Sequence, residues 1–215
     1  MNFEETITPN SEPATLSAGM DRRHFLRTAG LAGAALIFGI PTSAEAFLFQ
    51  RKPSSEDFLK SLDIPLGWME RLGPTLPEYA RYLDRLKLRY ISVLQIIEPH
   101  TKKRGPVLNT LPPKQLWRHM GVTLKVVDQL AKTMDEPLVE IISAYRSPSY
   151  NRQCSGGKSN SQHLRNTALD LKFRSSPKVV ARTVRELREQ GLFLGGVGRY
   201  SGFTHVDTRG KNADW

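Results

Sequence analysis

The sequence has few cysteines, few acidic side chains and no long apolar stretch. Cys154 is the single cysteine among 215 residues, so no disulfide can form within the chain and the fold must rest on its core, with a metal as a further candidate support. Lys and Arg number 31 against 21 Asp and Glu, and the net charge of +10 indicates a polyanionic partner. The apolar stretch at 28–40 is shorter than the ~20 residues that span a bilayer, which argues against a transmembrane helix.

Residues 1–46 have the three parts of a secretory signal. Arg22 and Arg23 form a twin-arginine pair, the Gly- and Ala-rich stretch follows, and an Ala-x-Ala cleavage site ends at Ala46. Because paired arginines are typical of the Tat route, we expect a processed chain that works in the periplasm or elsewhere outside the cytoplasm and meets the membrane only during export. An uncleaved membrane anchor is the alternative. In an exported chain, the basic charge favours cell-wall polymer or anionic lipid over nucleic acid, for which no aromatic–basic motif is present.

Helical periodicity comes first in the processed chain, and strand-like alternation comes later. Apolar side chains at three- and four-residue spacing predict helices over 78–97 and 114–134. A third helix is predicted from Pro177 to the residue before Gly191. Short apolar runs bounded by Gly, Ser and Pro predict strands over 138–145, 168–173, 195–200 and 203–207. This order predicts an α+β fold in which helices flank a small antiparallel sheet.

The composition divides the chain into three predicted parts. Residues 1–46 are the Tat signal peptide, residues 47–104 a helical N-terminal extension, and residues 105–215 the domain that carries the sheet. A processed chain of this length suits one domain with a sizeable core, and we expect a monomer.

Two imidazoles and two carboxylates lie in short polar motifs that follow the predicted helices. His163 is on the loop that enters a strand, Asp170 is on that strand, and His205 is on a neighbouring strand. Ligands from adjacent strands can approach one point, and two imidazoles with one carboxylate suit zinc with a position open for water. Such an ion lowers the pKa of its bound water to about 7, so the set predicts a hydrolase with zinc-bound water as the nucleophile. Cys154 is a further candidate ligand, although its Gly/Ser-rich loop favours a bystander.

Two further residues fit a hydrolytic mechanism. Asp207 follows His205 by two positions and therefore projects from the same face of the strand. It is predicted to accept the proton of the zinc-bound water and to deliver it to the leaving amine. Arg146 follows the strand over 138–145, and its guanidinium is predicted to stabilise the tetrahedral oxyanion or to bind a substrate carboxylate. Membership of a basic surface is the alternative for Arg146.

These motifs resemble the M15 family of zinc D,D-peptidases, and most closely its murein endopeptidase branch, DUF882. The family motif Ser-x-His-x-x-Gly-x-Ala-x-Asp is matched at 161–170, with Asn166 in place of the usual Gly. Asn tolerates the left-handed backbone conformation better than most residues. The strand-end motif is matched at 145–148, and the signature Gly-Gly-Val-Gly-x-Tyr, Phe-x-His-x-Asp-x-Gly and Trp is matched from 195 to 215. The resemblance covers roughly residues 105–215.

The resemblance implies the fold of hedgehog and D,D-peptidase-like domains. It also implies zinc held by His163, Asp170 and His205, with Arg146 as the substrate or oxyanion group. Many relatives carry an acidic residue three positions before the last His ligand, where this chain has Gly202. Some relatives instead have His-x-His with the second His as ligand, an alignment that makes Asp207 the ligand and His205 the helper. We favour His205 because two imidazoles and one carboxylate is the usual set.

The expected function is that of an exported zinc metallopeptidase, either endopeptidase or D,D-carboxypeptidase, that cleaves the stem peptides or cross-links of peptidoglycan. The alternative is a non-catalytic cell-wall binding module that keeps the zinc fold without turnover. Gly202 and Asn166 motivate this alternative. A nucleic-acid binder rests on the basic charge alone, and the predicted export argues against it.

Overall fold

The computed structural model describes residues 53–215. The predicted export signal over 1–46, with its twin arginines and cleavage site, lies outside the described residues. Within the described part, no helix is both long enough and apolar enough to cross a bilayer.

Four short helices form the first part of the described chain: α1 (Ser55–Lys60), α2 (Gly67–Leu72), α3 (Leu76–Asp84) and α4 (Val93–Ile97). The single helix predicted over 78–97 is therefore wrong in its middle. Lys87 adopts a left-handed φ of 52°, and the N–H of Tyr90 donates to the carboxylate of Asp128 at 2.7 Å instead of to a helical carbonyl. Ser92 then begins a new helix through a capping box with Gln95.

The longest helix is α5 (Trp117–Met134), which confirms the predicted helix except for its first turn, a 3₁₀ turn over Lys114–Leu116. Its buried face carries the apolar stripe that the periodicity indicates. Asp135 ends α5 in the left-handed conformation, with φ 48°. Two further helices follow: α6 (Pro148–Gln153) and α7 (Pro177–Glu189).

The strands form a two-stranded hairpin and a five-stranded sheet. The hairpin comprises β1 (Lys103–Arg104) and β2 (Val107–Leu108); the sheet comprises β3 (Glu140–Ser143), β4 (Ala168–Lys172), β5 (Gly196–Arg199), β6 (Thr204–Asp207) and β7 (Ala213–Asp214). The order in the sheet is β3-β4-β6-β5-β7, and all neighbours are antiparallel except β5 and β7, which are parallel. The predicted α+β class is confirmed, whereas the short edge strand β7 was not predicted.

The two faces of the central strands carry different side chains, mainly apolar on one face and mainly polar on the other. Leu169, Leu171 and Val206 belong to the apolar core, which also contains side chains of α5, α7 and the N-terminal helices. Successive side chains in a strand alternate between faces, so Asp170 and His205, which are directly paired, lie on the opposite face. The core includes residues on both sides of position 104, and the division into an extension and a domain at that point stays a prediction.

Candidate metal centre and active-site cleft

The three predicted zinc ligands lie together on one face of the sheet. His163 is on the 3₁₀ turn Gln162–Arg165, Asp170 is on β4, and His205 is on β6. Each offers one ligand atom, and these atoms all lie within 4.8 Å of one another. All three residues are buried. The structure therefore brings together the residues that the sequence predicts as ligands.

Side chains at both ends fix the turn that carries His163. The Oγ of Ser161 accepts a hydrogen bond of 3.3 Å from the His163 N–H. Asn166 ends the turn in the left-handed conformation, with φ 57°, and its amide donates to the Leu116 carbonyl at 3.0 Å. Asn166 thus takes the backbone conformation expected of the glycine that it replaces, and His163 is held at a defined position.

His163 presents a single nitrogen to the site. Its Nδ1 lies 2.6 Å from the carbonyl oxygen of Ala144, which can only accept, so Nδ1 carries the proton and donates. Nε2 then carries the lone pair, 3.3 Å from Oδ1 of Asp170. Burial lowers the pKa of His163 below its usual value, so the ring is neutral near pH 7, the form that binds a metal.

Asp170 is the central acceptor of the cluster. Its Oδ2 accepts a hydrogen bond of 2.6 Å from Nη2 of Arg146, and its Oδ1 lies 2.8 Å from Nδ1 of His205. Burial raises the pKa of Asp170, but the neighbouring imidazoles of His163 and His205 outweigh burial and hold the pKa well below its usual range. Asp170 is therefore ionised, as a metal ligand must be.

His205 lies between two carboxylates. Its Nδ1 faces Asp170, and its Nε2 lies 3.0 Å from Oδ2 of Asp207. Burial lowers the pKa of His205, but the hydrogen bonds to Asp170 and Asp207 more than compensate, and the pKa lies above its usual value. The two nitrogens thus have distinct neighbours, one within the ligand cluster and one outside it.

The donor set fits zinc. Zinc–ligand distances of 2.0–2.1 Å in a tetrahedral site place the ligand atoms about 3.3 Å apart. Oδ1 of Asp170 lies 3.3 Å from Nε2 of His163 and 2.8 Å from Nδ1 of His205. Cys154 is not part of this cluster in the described chain, and its Sγ donates to the Tyr150 carbonyl at 3.4 Å.

Arg146 lies beside the ligand cluster. Its Nε donates to Oγ of Ser143 at 2.7 Å, and its Nη2 donates to Asp170. The side chain is 15% exposed and lines the cleft described below. Two of the three guanidinium nitrogens are therefore held by the protein, and Nη1 lies outside these two hydrogen bonds.

Asp207, the predicted proton-transfer group, lies behind His205. It is completely buried and, among the described residues, is not part of the cleft lining. Oδ1 accepts from the N–H of Gly196 (3.1 Å) and from the N–H and Nε of Arg209 (3.1 and 2.7 Å), while Oδ2 lies 2.5 Å from Nη2 of Arg209. Burial raises the pKa of Asp207, but the hydrogen bonds from Arg209 and His205 hold the pKa well below its usual range.

The ligand cluster opens onto a cleft of about 480 Å³. Besides the ligands and Arg146, three aromatic and two cationic side chains line this cleft: Tyr200, Phe203, Trp215, Lys158 and Arg209. The Trp215 ring lies 5.2 Å from the ring of His205, and the Arg209 guanidinium lies over the Trp215 ring, 5.1 Å from its centre. The cleft is therefore basic and has an aromatic wall.

Trp215, Lys158 and Arg209 were not predicted as site residues. For Trp215 a signal was present in the Gly-x-Gly pattern of β5, since a Cβ at Gly198 would lie 2.5 Å from Nε1 of Trp215. Only a glycine at position 198 therefore leaves room for the indole ring of Trp215 to pack against β5. The Trp215 Nε1 also donates to the hydroxyl of Tyr200 at 2.8 Å, which fixes the plane of the ring.

Two comparisons with known proteins give matches to this sequence. A family model described as Peptidase M15 matches residues 100–207, a span that contains Arg146, His163, Asp170, His205 and Asp207. A protein named probable peptidoglycan L,D-endopeptidase MepK, from Haemophilus influenzae, is 38% identical over 76 residues, which are 33% of this chain and 39% of that protein. The chain thus matches well under two thirds of that relative, and no solved structure matches it. Because the family match covers half of the chain, this protein belongs to the peptidase M15 family.

Proposed function

We propose that this chain is an exported zinc metallopeptidase that hydrolyses peptide bonds in the stem peptides or cross-links of peptidoglycan. The observation that carries the proposal is the convergence of three buried ligand atoms within 4.8 Å in a member of a peptidase family. The name of the Haemophilus relative supports the same substrate class.

The donor set is prepared for a metal. His163, Asp170 and His205 would hold zinc, which when bound supplies a Lewis acid that activates water and polarises a scissile carbonyl. His163 is neutral and Asp170 is ionised, so neither has to change its protonation state to serve as a ligand. The raised pKa of His205 favours its protonated form, which competes with the metal, so metal affinity is expected to fall in acid.

Arg146 would meet the substrate. Its hydrogen bonds to Ser143 and Asp170 fix the guanidinium, so that little side-chain entropy is lost when Nη1 meets a developing oxyanion or a substrate carboxylate. An oxyanion and a carboxylate would both use this same fixed position.

The cleft also fits an anionic peptide. Lys158 and Arg209 add positive charge beside the ligand cluster, and the Trp215 wall offers an apolar surface to a peptide chain. Stem peptides of cell-wall polymer carry free carboxylates, which suits both the cleft and the net charge of +10.

A non-catalytic cell-wall binding module is the second candidate. Asp170 is the one carboxylate among the described residues that line the cleft, and it is engaged with Arg146. Position 202, where many relatives carry an acid, is a glycine, and a Cβ there would meet no atom beyond its chain neighbours within 4 Å. A chain without a free acid in the cleft favours binding over turnover.

Removal of the metal separates the two candidates. The chain without residues 1–46 is expected to release new muropeptides from isolated sacculi, and a chelator is expected to reduce this release by at least about 100-fold, since the metal generates the nucleophile. Added zinc should restore the activity. Mass spectrometry of the products measures the release and identifies the bond that is cut.

Two outcomes would contradict the proposal in different ways. Hydrolysis that a chelator leaves unchanged would exclude the zinc mechanism. Binding of sacculi with no new muropeptide after long incubation would establish the binding module.

We also propose that the protein is exported by the Tat route to the periplasm or another extracytoplasmic space. Replacing both Arg22 and Arg23 by lysine is expected to leave the protein in the cytoplasm, because this route reads the arginine pair. Cell fractionation with immunoblotting measures the distribution. Normal export of the double variant would contradict the route without affecting the proposed chemistry.

A further inference from the structure

We infer that Asp207 is a positioning residue that fixes the metal-binding tautomer of His205, and that it does not act as the proton-transfer group. The inference rests on the proposed function, since it concerns how the chain prepares one of the proposed zinc ligands. It also decides between the two assignments that the sequence left open, in which either His205 or Asp207 binds the metal.

The hydrogen bonds of the His205 ring determine which nitrogen can bind a metal. A neutral imidazole donates from one nitrogen and offers a lone pair on the other, whereas an ionised carboxylate only accepts. Nε2 of His205 lies 3.0 Å from Oδ2 of Asp207, so this nitrogen has to carry the proton. Nδ1 faces the carboxylate of Asp170 at 2.8 Å, within the ligand cluster, and offers its lone pair only when a metal takes the place of the ring proton there, while Asp207, outside the cluster, keeps Nε2 as the donor.

Asp207 has no capacity left for substrate or metal. Its two oxygens lie within hydrogen-bond distance of Gly196, of three nitrogens of Arg209 and of His205. The side chain is completely buried. A general base has to reach the proton that it abstracts, directly or through one water, and Asp207 has no open path to the cleft.

The neighbours of Asp207 are arranged to hold it still. Arg209 contacts Asp207 through Nε and Nη2, a bidentate geometry that sets the plane of the carboxylate. A Cβ at Gly196 would lie 2.4 Å from Oδ2, so only glycine allows the carboxylate to approach the backbone here. Partners of metal-bound histidines that fix the ring in this way typically contribute about 10–100-fold to metal affinity or activity.

The test compares Asp207→Asn with the unchanged full chain. The asparagine amide can donate to Nε2, which would move the ring proton to Nδ1 and block the nitrogen that faces the metal. We expect zinc affinity, measured by competition with a chromophoric chelator, to fall by about 10–100-fold. In the unchanged protein loaded with zinc, ¹⁵N NMR of labelled histidine should show Nε2 of His205 protonated and Nδ1 bound to the metal.

Asp128→Asn is the matched control, because Asp128 accepts backbone N–H groups of residues 89 and 90 and is not part of the cluster. It should keep the zinc affinity of the unchanged chain. The inference would be overturned if Asp207→Asn bound zinc within twofold of the unchanged chain, whether or not hydrolysis is lost. An NMR spectrum of the unchanged protein with Nε2 of His205 bound to the metal would also overturn it. If Asp207→Asn fails to fold, the NMR measurement on the unchanged protein still decides. Failure of the unchanged chain to bind zinc would overturn the proposed function and this inference with it.

Discussion

Replacing Asp170 by asparagine is expected to abolish metal retention and hydrolysis and also to destabilise the metal-free protein. The substitution keeps the shape of the side chain but removes the charge that faces Arg146 and His205. Arg146 would be left as a largely buried cation without a charged partner, and breaking a buried ion pair in this way costs about 3–5 kcal/mol. Urea unfolding in the presence of a chelator measures the loss of stability, and metal analysis with muropeptide release measures the loss of function.

His163→Gln separates the metal from the scaffold. It removes one ligand but leaves the ion pair between Arg146 and Asp170 intact. We therefore expect hydrolysis to fall by at least about 1000-fold, more than the roughly 10–100-fold typical of a residue that only hydrogen-bonds a ligand, and stability to fall less than in Asp170→Asn. His119→Ala is the control, since His119 contacts the Arg165 carbonyl and not the ligand cluster. If the Asp170→Asn variant bound a full equivalent of zinc and hydrolysed its substrate normally, the assignment of Asp170 as a ligand would be contradicted.

The elements of this fold that the sequence predicts well are those whose pattern is local. The stripe of α5 and the alternation of β4 and β6 each contain the information about their own buried face. The break between α3 and α4 has a different origin, because it depends on Asp128, a residue of α5, which accepts the N–H groups that a continuous helix would use. Strand β7 has two residues, too few for an alternating pattern.

The same distinction applies to the site. Residue types and spacing indicate His163, Asp170 and His205, because a strand face and a preceding turn are local features. The role of Asp207 depends on Gly196 of β5, which the strand register brings into contact, and on Arg209, which is only two residues away but whose pairing with Asp207 no sequence pattern indicates. Proximity in sequence favoured Asp207 as a proton carrier, whereas its burial and its hydrogen bonds support the positioning role that we infer.

The buried imidazole of His100 is expected to make the protein sensitive to acid. The ring is completely buried, and among the described residues neither of its nitrogens has a hydrogen-bond partner of standard geometry. Burial lowers the pKa of His100 from 6.5 to about 3, and the backbone near Tyr145 and Thr110 opposes this only in part. Below pH 6.5 the unfolded chain therefore takes up a proton that the folded chain does not. The loss of stability amounts to about 1.4 kcal/mol per pH unit, or about 2 kcal/mol at pH 5, and is absent at pH 7.

Urea unfolding at pH 7 and pH 5, with a chelator present at both, tests this expectation in the unchanged protein and in His100→Asn. The chelator removes the contribution of metal release, and the comparison of the two proteins removes that of His163, which is also buried with a lowered pKa and is present in both. We expect the unchanged protein to lose about 2 kcal/mol more than the variant between the two pH values. Equal losses would place the acid sensitivity elsewhere in the protein. A flatter pH dependence in His100→Asn would show that a residue outside the metal cluster contributes to the acid sensitivity of the fold, because the neutral amide has no proton to take up on unfolding.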